Sequence, residues 1–227
     1  MNDVIDNADL NAAAGVVAGL AAAGLAAGFA ACAPMIVRGL CPPADVEPGW
    51  SYRAAAGRWL IPATRVASAA ALLMGFWLAP VPARPAWAVL GTLGVLLGVI
   101  DARTGYLPKR LCWVATGLAA AGVGIGAAAW GGWQLAANAA AGSALAGAVM
   151  WLVWRRSHGL GFGDVRLAIL IGAVAGTGGA LQALWAIAAG ALLAVGAGTV
   201  RQLAGRRDGP YPYGPFLVAG PFIVLLL

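Results

Sequence analysis

Apolar runs recur along this chain at about the length that a bilayer requires. A helix that crosses the hydrocarbon core needs about 17 to 25 mostly apolar residues. Eight runs approach that length: Asn11 to Val37, Val66 to Pro80, Ala86 to Ile100, Leu111 to Trp130, Leu135 to Trp154, Val165 to Gly176, Ala180 to Val200 and Tyr213 to Leu227. Hydrophobic residues make up 62% of the sequence, against roughly 45–50% in soluble domains. The sequence therefore predicts an all-α, polytopic membrane helix bundle with about eight transmembrane helices.

Basic residues fall almost entirely on one side of the predicted bundle. If the first run enters the membrane from outside, Arg84 alone lies on the outer face. The loops on the opposite face hold Arg38, Arg53, Arg58, Arg65, Arg103, Lys109, Arg110, Arg155, Arg156, Arg166, Arg201, Arg206 and Arg207. Since cytoplasmic loops carry the excess of Lys and Arg, the N-terminus is expected outside and the basic face in the cytoplasm.

The net charge of +6 is spread over several short loops and forms no single basic stripe. This distribution favours contact with an anionic lipid bilayer and not with nucleic acid. The first ten residues contain no Lys or Arg and so lack the basic start of a secretory signal peptide. The stretch 38–65 is the one sizeable cytoplasmic loop, so residues 1–227 are expected to form a single membrane-embedded domain. Nothing in the sequence indicates an oligomeric state.

Small residues spaced four apart indicate close helix packing. Such pairs let helix backbones approach within a membrane bundle. The glycine pairs are Gly15 and Gly19, Gly24 and Gly28, Gly94 and Gly98, Gly122 and Gly126, and Gly172 and Gly176. The three cysteines, Cys32, Cys41 and Cys112, form no CxxC motif. They are interpreted as small packing residues, with neither a disulfide framework nor a metal site expected.

Two acids stand at the ends of apolar runs, where a charge is costly. An ionised carboxylate at the centre of a bilayer costs about 2.5–3.5 kcal/mol, so Asp101 and Asp164 are candidates for function. Two predicted spans separate them, which returns both carboxyls to the same cytoplasmic side. The sequence therefore predicts that these two acids can meet.

A pair of carboxyls in a poorly hydrated site would share one proton, because both cannot ionise there. The ionised member can take a proton from water, while the protonated member polarises a peptide carbonyl. This is the chemistry of metal-independent peptide hydrolysis. From these residues alone, an equally open alternative is that each acid caps a helix or pairs with Arg103 or Arg166.

Three motifs in order resemble those of the type IV prepilin peptidases. Asp101-Ala-Arg-Thr-Gly-Tyr-Leu107-Pro108 resembles the first signature, an Asp followed by an aliphatic residue and Pro. Gly161-Phe-Gly163-Asp164-Val-Arg166 resembles the second, the GxGD motif. Pro212-Tyr-Gly214-Pro215-Phe is similar to the third, near the C-terminus. The resemblance covers roughly Ala86 to the end of the chain.

The resemblance implies an aspartic intramembrane endopeptidase of the bacterial plasma (inner) membrane. Its substrates would be membrane-inserted prepilins or pseudopilins of type IV pilus or type II secretion systems, cut behind a short basic leader. It implies that Asp101 and Asp164 are the catalytic dyad and that no cofactor is needed. Gly161 and Gly163 would let the backbone bend sharply where a substrate or the partner acid approaches.

The remaining motif residues would support that dyad. Gly214 and Pro215, in the motif that Pro212 opens, would shape the end of the last helix beside it. Arg166, where the family more often has Lys, would bias the dyad or meet lipid headgroups. His158 precedes the GxGD motif and is interpreted as a solvated interfacial residue.

One departure from the family concerns the loop after the first span. Many full-length relatives carry there a longer insert with paired CxxC motifs that resemble a zinc site, and they also N-methylate the new N-terminus. This loop holds only Cys41. The sequence therefore predicts no metal and gives no support to N-methyltransferase activity.

Other functional classes also use acids in membranes. A presenilin-like or signal-peptide-peptidase-like protease has a GxGD Asp, but Tyr usually precedes its first Asp and here Ile100 does. A transporter or channel would use such acids for proton or ion coupling. A structural subunit of a secretion machine would tolerate loss of both acids.

Overall fold

The computed structural model describes residues 2–42, 50–130, 132–157, 160–205 and 211–227. Within these ranges the chain is helical and contains no β-strand. The α-helices are α1 (Asn2–Arg38), α2 (Leu60–Leu78), α3 (Arg84–Val89), α4 (Val95–Thr104), α5 (Lys109–Trp130), α6 (Trp133–Arg156), α7 (Phe162–Ala175), α8 (Ala180–Leu203) and α9 (Gly214–Val224). The π-helical turn Leu90–Gly94 joins α3 to α4, so the described helices form eight rods. These rods correspond in number and order to the eight predicted runs.

Six helical stretches in the described part of the chain are long and apolar enough to cross a membrane. They are Val17–Arg38, Leu60–Leu78, Val81–Thr104, Lys109–Trp130, Trp133–Arg156 and Ala180–Leu203. The predicted all-α, polytopic membrane bundle is confirmed. The other two rods are shorter: at 1.5 Å per residue, α7 is about 21 Å long and α9 about 16 Å, against a hydrocarbon core of about 30 Å.

Several predicted boundaries are wrong. The first run, expected from Asn11, belongs to a helix that begins at Asn2. The run expected from Val66 begins at Leu60 as α2, which shortens the predicted loop 38–65. Pro62 lies in the first turn, where an absent N–H breaks no helical hydrogen bond, and the exposed side chain of Arg65 can reach water from inside a helix. The last run, expected over Tyr213 to Leu227, is helical only over Gly214–Val224.

Glycines make the closest helix contacts of the bundle. A Cβ on Gly142 of α6 would lie 2.7 Å from the carbonyl oxygen of Gly172 on α7, and one on Gly122 of α5 would lie 2.8 Å from the amide nitrogen of Ala86 on α3. The packing role predicted for Gly122 and Gly172 is therefore confirmed. It is wrong for Gly24 and Gly28, because added Cβ atoms there would meet nothing within 4 Å.

Gly172→Ala is expected to lower the free energy of unfolding by about 1–3 kcal/mol, the usual cost of overfilling a packed interior. The added methyl group would lie 2.7 Å from the Cβ of Ala146 and also press on the backbone of Gly142. Gly28→Ala is the matched control, and it should be neutral or stabilise by up to about 1 kcal/mol, because it adds helix propensity in open space. Unfolding in detergent measures both, and equal losses would contradict the packing assignment.

Candidate active site

Asp101 lies on the buried face of α4, three residues before the helix ends, and is 5% exposed. Its Oδ2 accepts a hydrogen bond of 2.7 Å from the backbone amide of Gly214, the first residue of α9. The first amides of a helix have no partner inside that helix and stabilise negative charge. The third motif therefore supplies a backbone donor to the acid of the first motif, 113 positions away.

Glycines allow α4 and α9 to meet at this point. A Cβ on Gly214 would lie 2.8 Å from Oδ2 and 2.9 Å from Cβ of Asp101, closer than real Cβ atoms pack. One turn before the acid, a Cβ on Gly98 would lie 3.3 Å from Cα of Pro215. The hydrogen bond to Asp101 therefore depends on a residue without a side chain at 214.

Asp164 is the third residue of α7 and is 7% exposed. Its Oδ2 accepts a hydrogen bond of 3.2 Å from the amide of Gly161, while its own amide donates to the Gly161 carbonyl at 3.1 Å. Asp164 therefore caps its own helix, as the capping alternative predicted. The donors to both acids in these hydrogen bonds are backbone amides and not the guanidinium groups of Arg103 or Arg166.

The glycines of the second motif act differently from the prediction. Gly161 has φ −79° and ψ 149°, a conformation open to any residue, so the sharp-bend argument is wrong there; its contribution is its amide. Gly163 does permit close approach, but its neighbour is Leu107: an added Cβ would lie 2.8 Å from the Leu107 Cβ. The first and second motifs are thereby packed directly together.

Asp101 and Asp164, the acidic pair, interact electrostatically, and both interact with the thiol of Cys112 in the first turn of α5. Cys112 is completely buried. The helices that carry these groups are held together because α9 packs against both α4 and α7, and α5 packs against α7. Four helices thus enclose two carboxyl groups from distant parts of the sequence.

Comparison with known proteins relates part of this chain to a protein family. Residues 87–196, which include the acidic pair, match the model of the type IV leader peptidase family. This region, a little under half of the chain, is similar to that family. The match leaves all of α1, α2 and α9 outside it.

Two curated proteins similar to this chain come from Burkholderia pseudomallei, strains 1026b and K96243. Each bears the name prepilin leader peptidase/N-methyltransferase and is 34% identical over 163 residues. The alignment covers 64% of this chain and 50% of each relative, so the chain spans about half the length of these relatives. No solved structure matches the chain.

The other residues predicted from the three motifs lie at or beside the starts of α5, α7 and α9. Pro108 is buried, and its carbonyl accepts the amide of Cys112 at 3.0 Å, which starts α5. The guanidinium of Arg166 lies 4.8 Å from the ring centroid of Phe162, so part of its role is to cover that ring. Pro212 and Pro215 are half-buried at the start of α9. The predicted interfacial residue His158 lies outside the described residues.

Sequence reasoning missed two residues at this site. Cys112 was interpreted as packing, although it adjoins both acids. Tyr52 lies in the loop before α2, is 1% exposed and interacts electrostatically with Asp101 and Cys112. No motif marks Tyr52; the only signal was an aromatic residue in the single sizeable loop.

Proposed function

We propose that this chain is an aspartic intramembrane endopeptidase. It removes the leader of type IV prepilin-like or pseudopilin precursors at the cytoplasmic face of the bacterial plasma membrane. The observation that carries the proposal is the acidic pair: two buried carboxyls, from separate helices of the leader peptidase region, lie close enough to interact. The names of the two Burkholderia relatives supply the substrate class.

The acidic pair performs the hydrolysis with one shared proton. The ionised carboxyl takes a proton from water as the water oxygen attacks the peptide carbonyl carbon, and the protonated carboxyl donates a hydrogen bond to the carbonyl oxygen. When the tetrahedral intermediate collapses, the C–N bond breaks and the leaving amine receives a proton. The amides of Gly214 and Gly161 hold the two carboxyls in orientation during these transfers.

The position of the pair fits cleavage at a membrane face. Asp101 lies near the end of α4 and Asp164 near the start of α7, so each acid is at the end of its rod and not at its centre. Basic residues adjoin these ends, namely Arg103, Lys109, Arg110, Arg155 and Arg156. By the positive-inside rule this side is cytoplasmic. A substrate with an apolar helix in the bilayer and its leader in the cytoplasm would present its scissile bond here.

The proposal is tested with the purified chain in liposomes and a peptide that spans the leader and first apolar segment of a type IV prepilin. Mass spectrometry of the product should show one cut, behind the leader. If no cut appears but the protein conducts protons or ions across the same liposomes, the chain belongs to the transporter class instead.

Zinc chelation is expected to leave this cleavage unchanged. Within the described ranges, no group of three or more His, Cys, Asp or Glu side chains is placed to hold a metal, and the proposed chemistry uses only the acidic pair. The measurement is the cleavage rate before and after incubation with a chelator, with a zinc-dependent protease as positive control. Loss of activity that added zinc restores would contradict the two-carboxyl mechanism.

A further inference from the structure

The segment between α1 and α2 reaches the acidic pair. Its 3-10 turn, Tyr52–Ala56, packs against α1 and α4. This turn carries Tyr52 into the bundle, where the side chain is 1% exposed. The loop therefore adds a side chain to a site that is otherwise built from helices.

One member of the acidic pair, Asp101, is an electrostatic neighbour of the Tyr52 hydroxyl. The electrostatic partners of this hydroxyl are Cys112, Asp101 and Tyr106, and Cys112 in turn interacts with both Asp101 and Asp164. The Tyr52 phenol is thereby linked to Asp164 through Asp101 and Cys112. None of the hydrogen bonds found among the described residues uses this hydroxyl, and it is not one of the fully buried side-chain atoms that lack a partner.

Aromatic contacts fix the Tyr52 ring in this position. The ring of Trp50 meets the Tyr52 ring edge to face, with centroids 4.8 Å apart, and meets the Tyr106 ring with centroids 5.2 Å apart. Tyr106 belongs to the motif that begins at Asp101. The loop and the first motif are thus joined through Trp50, and the phenol is held beside the acid before any substrate arrives.

The phenol is suited to donate a hydrogen bond without losing its proton. Burial raises the pKa of Tyr52 above its ordinary value, and the neighbouring Cys112 and Asp101 raise it further. It therefore stays a neutral O–H near neutral pH. Fixed donors of this kind stabilise negative charge that develops on a carbonyl oxygen in a site with little water.

We propose that Tyr52 is a further catalytic residue, whose hydroxyl donates a hydrogen bond to the carbonyl oxygen of the scissile peptide. The inference rests on the proposed peptidase function. Tyr52 forms no covalent bond and keeps its proton; it assists the protonated member of the acidic pair as the carbonyl oxygen becomes negative. The chemical class that it recognises is a peptide carbonyl, independent of the side chains of the leader.

Tyr52→Phe removes only the hydroxyl and keeps the ring that packs on Trp50. We expect kcat for the prepilin peptide to fall roughly ten- to a hundredfold with KM within about twofold, because the hydrogen bond strengthens in the transition state. The thermal unfolding midpoint should not change. Tyr106→Phe is the matched comparison: its side chain is 41% exposed and touches the same Trp50 ring, so its kcat should fall far less than that of Tyr52→Phe.

Each result decides the inference. A Tyr52→Phe enzyme with wild-type kcat, or one that loses activity only in proportion to its lost stability, overturns the role of Tyr52 while leaving the peptidase function intact. If the wild-type chain cleaves nothing, the peptidase proposal fails and this inference fails with it. The role of Tyr52 is supported if the Tyr52→Phe enzyme is fully stable but has a lower kcat, while the Tyr106→Phe enzyme remains active.

Discussion

Asp101→Asn and Asp164→Asn are each expected to lower the rate of leader cleavage by at least about 10³-fold. A positioned acid or base contributes about 10²–10⁴-fold to the reaction rate. With one Asp replaced by Asn, the remaining carboxyl has no second carboxyl with which to share the proton. An Asn side chain has the size of Asp, and its carbonyl oxygen can still accept the amide of Gly214 or Gly161. Folding should therefore be preserved while the chemistry is lost.

The measurement is the rate of product formation from the prepilin peptide, combined with unfolding in detergent. Asp9→Asn in the first turns of α1 makes the same chemical change outside the acidic pair and should leave the rate unchanged. If either pair variant trims the leader at the wild-type rate, the dyad assignment is wrong. If the variants lose their folded state, the acids have a structural role. For Asp101, that role would be to hold α9 in place through the Gly214 amide.

Gly214→Ala is expected to lower the cleavage rate about 10²-fold, the cost of misplacing a reacting group by about 1 Å. The added methyl carbon would fall 2.8 Å from Oδ2 of Asp101. The two helices must then separate, or the carboxyl must rotate away from the amide of residue 214, which donates to it at 2.7 Å. In either case Asp101 leaves its position opposite Asp164.

Two other glycines give this prediction a graded control. A Cβ on Gly98 would lie 3.3 Å from Cα of Pro215, and one on Gly124 would meet nothing within 4 Å. The rate should therefore fall most for Gly214→Ala, less for Gly98→Ala and not at all for Gly124→Ala. An equal rate for the variants at 214 and 124 would contradict the proposed support of Asp101 by α9.

The sequence could predict both acids and most of the helices because these leave local signals. An apolar run of about 20 residues marks a span whatever surrounds it, and an acid at its edge is conspicuous. Boundaries were less certain. Leu60 to Arg65 were assigned to a loop, because a proline and an arginine look like a break. The helix accommodates Pro62 in its first turn and Arg65 on its exposed face.

The contacts between the three motifs could not be predicted from spacing. Gly161 and Gly163 were expected to bend the chain. In the structure the Gly161 amide donates a hydrogen bond to Asp164, and the absence of a side chain on Gly163 lets Leu107 pack against it. Nothing local to Pro212-Tyr-Gly214-Pro215 indicates that its glycine amide bonds to Asp101. Tyr52 and Cys112 lie in no motif at all, so only the packing of the loop and of α5 reveals their neighbours.

By itself, the sequence determined that the chain is a helical membrane protein. It also determined which side of the bilayer the Lys and Arg residues favour and which two acidic residues would be costly to place in a bilayer. Hydrophobic length and charge are properties of each segment, so they can be read without knowing its neighbours. The tertiary structure alone decided which backbone amides hold those acids, which glycines let α4 and α9 approach, and that the loop tyrosine lies beside Asp101. These depend on distances between segments up to 113 residues apart, and those distances are set by the packing of the whole bundle.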